Sequence, residues 1–151
     1  MIPVQGLYET HLTVSNLERS IDFYRDILGL ELAHRIPERN VAFFWIGGHE
    51  TSMLGLWSIH SSPLQLKLHI AFQTTLDQVI QSPDYLRSKG ITPRNGSGVE
   101  IDEPSVFPWM PSANIYFDDP DGHSLEYIAI LSGKARQDIP GMMTLSQWNS
   151  L

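Results

Sequence analysis

HLTVSNLERSIDFYRDILGLEL, residues 11–32, decides the fold. Its first residues alternate in polarity and include the β-branched Thr13 and Val14, closing a strand predicted over Leu7–Val14. Leu17, Ile21, Tyr24 and Leu28 then recur at helical spacing and give the next segment one apolar face. Ser15 or Asn16 can cap this helix, Glu18 and Asp22 suit its early turns, and Gly29 can end it. Three β-like runs follow, near Glu31–Ile36, Val41–Ile46 and Ser52–Ile59. Pro37-Glu38-Arg39-Asn40 and Gly47-Gly48-His49-Glu50 punctuate them as turns.

After Ser61-Ser62-Pro63, read as a linker, the pattern restarts about sixty residues on. Leu64–Gln73 predicts a strand and Leu76–Lys89 a helix closed by Gly90. Pro83 lies within that helix, which should therefore be two pieces or start late. Thr92–Pro111 is rich in Gly and Pro, carries Glu100, Asp102 and Glu103, and predicts a long loop with one irregular strand near Val99–Ile101. Ala113–Phe117 and Ser124–Leu131 read as a hairpin across the turn 118–123. Ser132–Leu151 reads as loop with a short helix near Leu145–Trp148. The fold class is α+β, two βαβββ modules in tandem: residues 1–60, residues 64–131 and a tail, 132–151, within one structural domain.

The 151 residues carry a net charge of −7 with no cluster of Lys or Arg, which argues against a nucleic-acid partner. A neutral or cationic small molecule is easier to hold. Without cysteine, any metal site must use His, Asp, Glu and other oxygen donors. Met1-Ile2-Pro3-Val4-Gln5 has no basic or apolar leader pattern, and no apolar run approaches the ~20 residues of a membrane span. A cytoplasmic protein without a membrane partner is expected.

Strand alternation sorts the candidate residues. His11 shares a face with Glu9 and Thr13, opposite Leu12 and Val14. His69 shares one with Lys67, Ala71 and Gln73, opposite Leu68, Ile70 and Phe72. Glu126 lies with Ser124, Ile128 and Ile130, opposite Leu125, Tyr127 and Ala129. Two imidazoles and a carboxylate on equivalent strand faces can form a half-shell for Fe(II), Mn(II), Ni(II), Zn(II) or Co(II). Each histidine taken alone is more often a solvated or satisfied polar residue than a ligand. His123 and Asp121 belong to the hairpin turn and His49 to another, while His34 and His60 read as surface positions. Of Trp45, Trp57, Trp109 and Trp148, we assign Trp57 and Trp109 to a substrate pocket. Phe107-Pro108-Trp109-Met110 is expected to cover part of it. Tyr116 or Tyr127 could serve as an acid near an oxyanion; the sequence selects neither, and the catalytic residues stay unassigned.

Residues 11–32, LHIAFQTTLD at 68–77, and IYFDDPDGHSLEYIAIL at 115–131 together resemble the vicinal oxygen chelate superfamily. That superfamily holds glyoxalase I, fosfomycin-resistance transferases, extradiol dioxygenases and bleomycin-resistance proteins. The resemblance covers about residues 7–131. It implies a U-shaped mixed sheet around a metal cleft, with one divalent metal ion on His11, His69 and Glu126. Some members place a fourth ligand, Glu, in the strand matching Met53–Trp57; this chain has no carboxylate or imidazole there. The expected function is that of a metal-dependent glyoxalase-like enzyme, of lyase, isomerase or dioxygenase type, acting on a small oxygen-chelating substrate. The alternative is a metal-free, ligand-sequestering protein of the bleomycin-resistance type, which the acidic charge suits. A homodimer is expected, since members with a single copy of this fold commonly pair.

Overall fold

A computed structural model of the protein describes residues 6–58 and 67–151. The linker Ser61-Ser62-Pro63, the beginning of the predicted strand at Leu64, Ile59 and His60 lie outside the described residues. The chain forms two compact units. The first runs to Leu68 and also takes Asp119–Asp121; the second holds His69–Asp118 and Gly122–Leu151.

In the first unit, β1 (Glu9–Val14) leads into α1 (Leu17–Asp22), capped by the Asn16 side chain. The helix widens into a π-turn over Phe23–Ile27, where Leu28 N–H reaches the Phe23 carbonyl at 3.2 Å. Gly29, at φ +70°, lets Leu30 N–H close on the Tyr24 carbonyl. The widened turn buries Phe23 and Tyr24 in succession, so the apolar stripe ends at Tyr24 and Leu28 is only half-buried. Strands β2 (Leu32–Ile36), β3 (Val41–Ile46) and β4 (Ser52–Ser58) complete a sheet of order β1-β4-β3-β2, with β1 parallel to β4. Alternation along β1 buries Leu12 and Val14 and leaves Glu9, His11 and Thr13 exposed, as the sequence pattern predicts.

The second unit repeats the plan. β5 (His69–Gln73), α2 (Leu76–Ser88), β6 (Ser105–Val106), β7 (Ser112–Asp118) and β8 (Ser124–Ile130) are followed by β9 (Met143–Thr144) and α3 (Leu145–Trp148). The sheet order is β5-β8-β7-β6-β9, with β5 parallel to β8. Two mixed sheets of four and five strands give the predicted α+β architecture.

Three local expectations are corrected. α2 is continuous through Pro83: the Val79 carbonyl, which a proline at 83 cannot serve, accepts from Ser82 Oγ at 2.8 Å instead. Val99–Ile101 forms no strand; Glu100 makes one bridge to Arg94, and the second strand of the repeated module is the two-residue β6. The tail is not merely loop, because β9 pairs with β6 and buries Leu145 behind it. A capping box between Thr144 and Gln147 starts α3.

Candidate functional site

The final hairpin builds the best-defined part of the site. Tyr116 faces Glu126 across β7 and β8, and Asp118 faces Ser124. On the other side of β8, His69 is level with Ser124, and Ala71 with Glu126. Alternation sets His69, Glu126 and Tyr116 on one face and the fully buried Ile115, Phe117 and Leu125 on the other.

His69 Nδ1 lies 2.9 Å from the Ser124 carbonyl oxygen. A carbonyl only accepts, so Nδ1 carries a proton and donates it there. Nε2 then stands 3.2 Å from Glu126 Oε2. In the neutral ring this sets an acceptor against an acceptor. The pair is satisfied by a proton held between the two atoms or by a metal ion.

Glu126 is 4% exposed. Burial raises its carboxyl above the ordinary range, while a hydrogen bond from Tyr116 and the His69 ring pull the other way. The Tyr116 phenol is in turn raised by burial and by the Glu126 charge, so it keeps its proton and donates. Its ring stacks on His69 at 5.6 Å and 27°. Arg94 pairs with Asp118 and reaches Ser124 Oγ at 3.2 Å, and its backbone exchanges 2.8 Å hydrogen bonds with Tyr116.

The sequence left Tyr116 and Tyr127 level; the structure separates them. Tyr127 is on the opposite face against Phe117 at 4.8 Å, its phenol pushed up to about 12 by burial. Finding Tyr116 required the register between β7 and β8, which alternation in one strand does not supply.

In the first unit, His11 Nε2 lies 3.0 Å from Glu9 Oε1. Sequence reasoning placed Glu9 on this face but gave it no role. Gly55 is level with His11 on β4, and a Cβ there would stand 2.6 Å from His11 Cδ2. The bare backbone lets the imidazole lie across β4, edge-on to Phe43 at 6.0 Å and tilted against Trp57 at 5.6 Å. The Met53–Trp57 strand thus presents glycine and tryptophan beside His11, not a carboxylate. The Arg39 guanidinium sits 4.6 Å over the Trp57 ring, and the buried Trp57 indole N–H has no acceptor among the described residues.

Neither unit gathers three His, Asp or Glu side chains as a metal cluster among the described residues. The second unit brings His69 and Glu126 together; the first holds His11 with Glu9. Trp109 is 58% exposed, on the rim of a hollow in the second unit. The remaining candidates have other settings. Asp121 is tied to Ser15 and Arg19, His123 is buried at 2% exposure, and His49 lies exposed beside Trp45. His34 is exposed on β2.

Two βαβββ units, each with a histidine on the exposed face of its first strand, define a recognisable class of fold. Residues 6–127 match the model of the Glyoxalase/Bleomycin resistance protein/Dioxygenase superfamily, and the chain belongs to that superfamily. A metallothiol transferase FosB of Staphylococcus haemolyticus is 28% identical over 124 residues, covering 82% of each chain. A lactoylglutathione lyase of Neisseria meningitidis is 28% identical over 136 residues, covering 84% of this chain and 92% of its own. A crystal structure of an integron cassette protein from the Halifax Harbour sewage-outfall metagenome superposes with a TM-score of 0.73 at 30% identity. That match covers 84% of this chain and all of the other. No helix among the described residues is long and apolar enough to cross a membrane.

Proposed function

We propose that this chain is a metal-dependent enzyme of the glyoxalase type, acting on a small substrate through two neighbouring oxygens. The observation that carries the reading is the His69–Glu126 pair. A ring fixed by its Nδ1 proton to the Ser124 carbonyl aims Nε2 at a buried carboxylate, an arrangement suited to a cation. Relatives named as a metallothiol transferase and a lyase support the enzyme reading.

His69 and Glu126 would hold one divalent ion together with His11, the residue that the family resemblance adds from the first unit. Imidazole and carboxylate suit Fe, Mn, Ni, Zn or Co. Bound there, the ion would supply Lewis-acid stabilisation of developing negative charge on substrate oxygen. Tyr116 holds Glu126 in place and keeps a proton on that face. Trp57, whose indole N–H finds no acceptor among the described residues, and Trp109 are the proposed substrate contacts. Between lyase, isomerase and dioxygenase chemistry we favour the lyase or isomerase type, on the lactoylglutathione lyase match.

Elemental analysis of the purified protein tests this. Wild type is expected to carry close to one divalent ion per chain, and His69→Ala and Glu126→Gln to lose most of it. Metal-free wild type that takes up no added divalent ion, or equal metal in wild type and both variants, would overturn the reading. The first outcome would favour the metal-free, ligand-sequestering alternative.

A further inference from the structure

We propose that the hollow in the second unit bounded by Gly96, Phe107, Trp109 and Met142 is a subsite for an uncharged aromatic group of the substrate. This rests on the metal-dependent reading above and adds a substrate class to it.

The hollow has a volume of about 700 Å³. That lies within the range of small-molecule sites, roughly 300–1,000 Å³. Gly96, in its wall, is packed on side chains. A Cβ on Gly96 would stand 3.3 Å from both Met142 Sδ and Phe107 Cζ, and 3.4 Å from Tyr116 Cε2. The ring edge of Tyr116 therefore lies close behind Gly96, while its hydroxyl bonds Glu126 and its face stacks on His69. One ring thus connects the wall of the hollow to the proposed metal-binding pair.

The walls are tied down separately. Asn95 Oδ1 accepts from Ser97 N–H at 2.9 Å and Val99 N–H at 3.1 Å, fixing the turn that carries Gly96. Phe107 N–H bonds the Ser112 carbonyl, and Met110 N–H the Phe107 carbonyl, both at 3.2 Å. The Arg136 N–H holds the Pro108 carbonyl at 2.7 Å, and β9 anchors Met142 through its neighbour Met143. Walls fixed before binding spare a ligand the cost of ordering them.

The chemistry of the lining sets the class. Two aromatic rings and a thioether favour a flat apolar partner, and the exposed Trp109 ring gains burial under one. Asn95 and Ser97 add polarity without charge. Among the described residues, no lysine or arginine lines the hollow to hold an anion, and no carboxylate to hold an ammonium. The adjoining cavity, about 360 Å³, is different in kind because Asp102 and Glu103 line it.

The test uses the full chain, as purified and after EDTA treatment, titrated calorimetrically with three naphthalene probes. They are neutral 2-naphthalenemethanol, anionic 2-naphthoate and cationic 2-naphthylmethylammonium. The alcohol is expected to bind at least about tenfold more tightly than either ion, equally in both preparations. Trp109→Ala and Gly96→Leu should each weaken it by about fivefold or more, with unchanged far-UV circular dichroism. Trp109 is exposed, so its variant keeps the test open if Gly96→Leu misfolds. An ion binding as tightly as the alcohol, or Trp109→Ala binding the alcohol as wild type does, would overturn the proposal. Metal content measured on the same samples separates the two readings. Selective alcohol binding by a wild type that carries no metal as purified and takes up no added divalent ion would uphold the subsite and remove the metal reading. A metal-loaded chain that ignores the alcohol would do the reverse.

Discussion

Asp121 accepts hydrogen bonds from Ser15 N–H at 3.0 Å, Arg19 Nη2 at 3.0 Å, Ser20 Oγ at 3.3 Å and the Ser15 hydroxyl. Burial pushes its carboxyl up, but the Ser15 hydrogen bonds and the Arg19 charge outweigh it and hold the group below the ordinary range. A carboxyl depressed in the folded state adds stability that is complete above its unfolded value, near ~3.9, and is lost as pH falls through the folded value. Asp121→Asn is therefore expected to cost about 1–2 kcal/mol at neutral pH. Its Tm deficit should shrink as pH falls from about 5 to 3. Thermal unfolding at the two extremes decides the point: the same deficit at both would mean that the charge contributes nothing. The sequence placed Asp121 in a turn and no further, because its partners lie on α1 and just before it, at the far end of the chain. His69 and Glu126, by contrast, showed their shared face in the sequence, since period-two alternation needs only the strand each sits on.

At the scale of elements, α2 shows how one residue hides the effect of another. Pro83 removes a backbone donor, and Ser82, 5% exposed, returns one to the Val79 carbonyl. Ser82→Ala should destabilise the fold by about 1–2 kcal/mol by leaving that carbonyl without a donor. In a Pro83→Ala background the loss should be much smaller, because the substitution restores a backbone N–H that can serve Val79 again. Equal losses in the two backgrounds, read by denaturant unfolding, would refute the compensation. The proline was plain in the sequence; the rescue was not, since serine within a helix has several partners open to it. The long predicted strands and first helix were legible because each spans enough residues to show a period. β6 and β9, at two residues each, are too short for one, and only their pairing defines them.

For the whole molecule, we expect a homodimer. Leu7 at 78% exposure, Tyr8 at 54% and Ile130 at 60% leave apolar surface near β1 and at the end of β8 for a second copy to cover. Light scattering at micromolar concentration should give twice the chain mass of 17.1 kDa, and a species of 17.1 kDa alone would exclude the dimer. The repeated plan was visible in the sequence as a restarted pattern, but the borrowing of Asp119–Asp121 by the first unit was not. That loan has a consequence for the order in which the protein is made. The Tyr24 hydroxyl bonds Asp119 Oδ2 at 3.1 Å in the buried interior, and Asp121 anchors Ser15. A nascent chain released from the ribosome only as far as Leu68 holds neither acceptor. Roughly fifty residues must still be synthesised, several seconds at about 5–20 residues per second, before the amino-terminal half can close its last bonds.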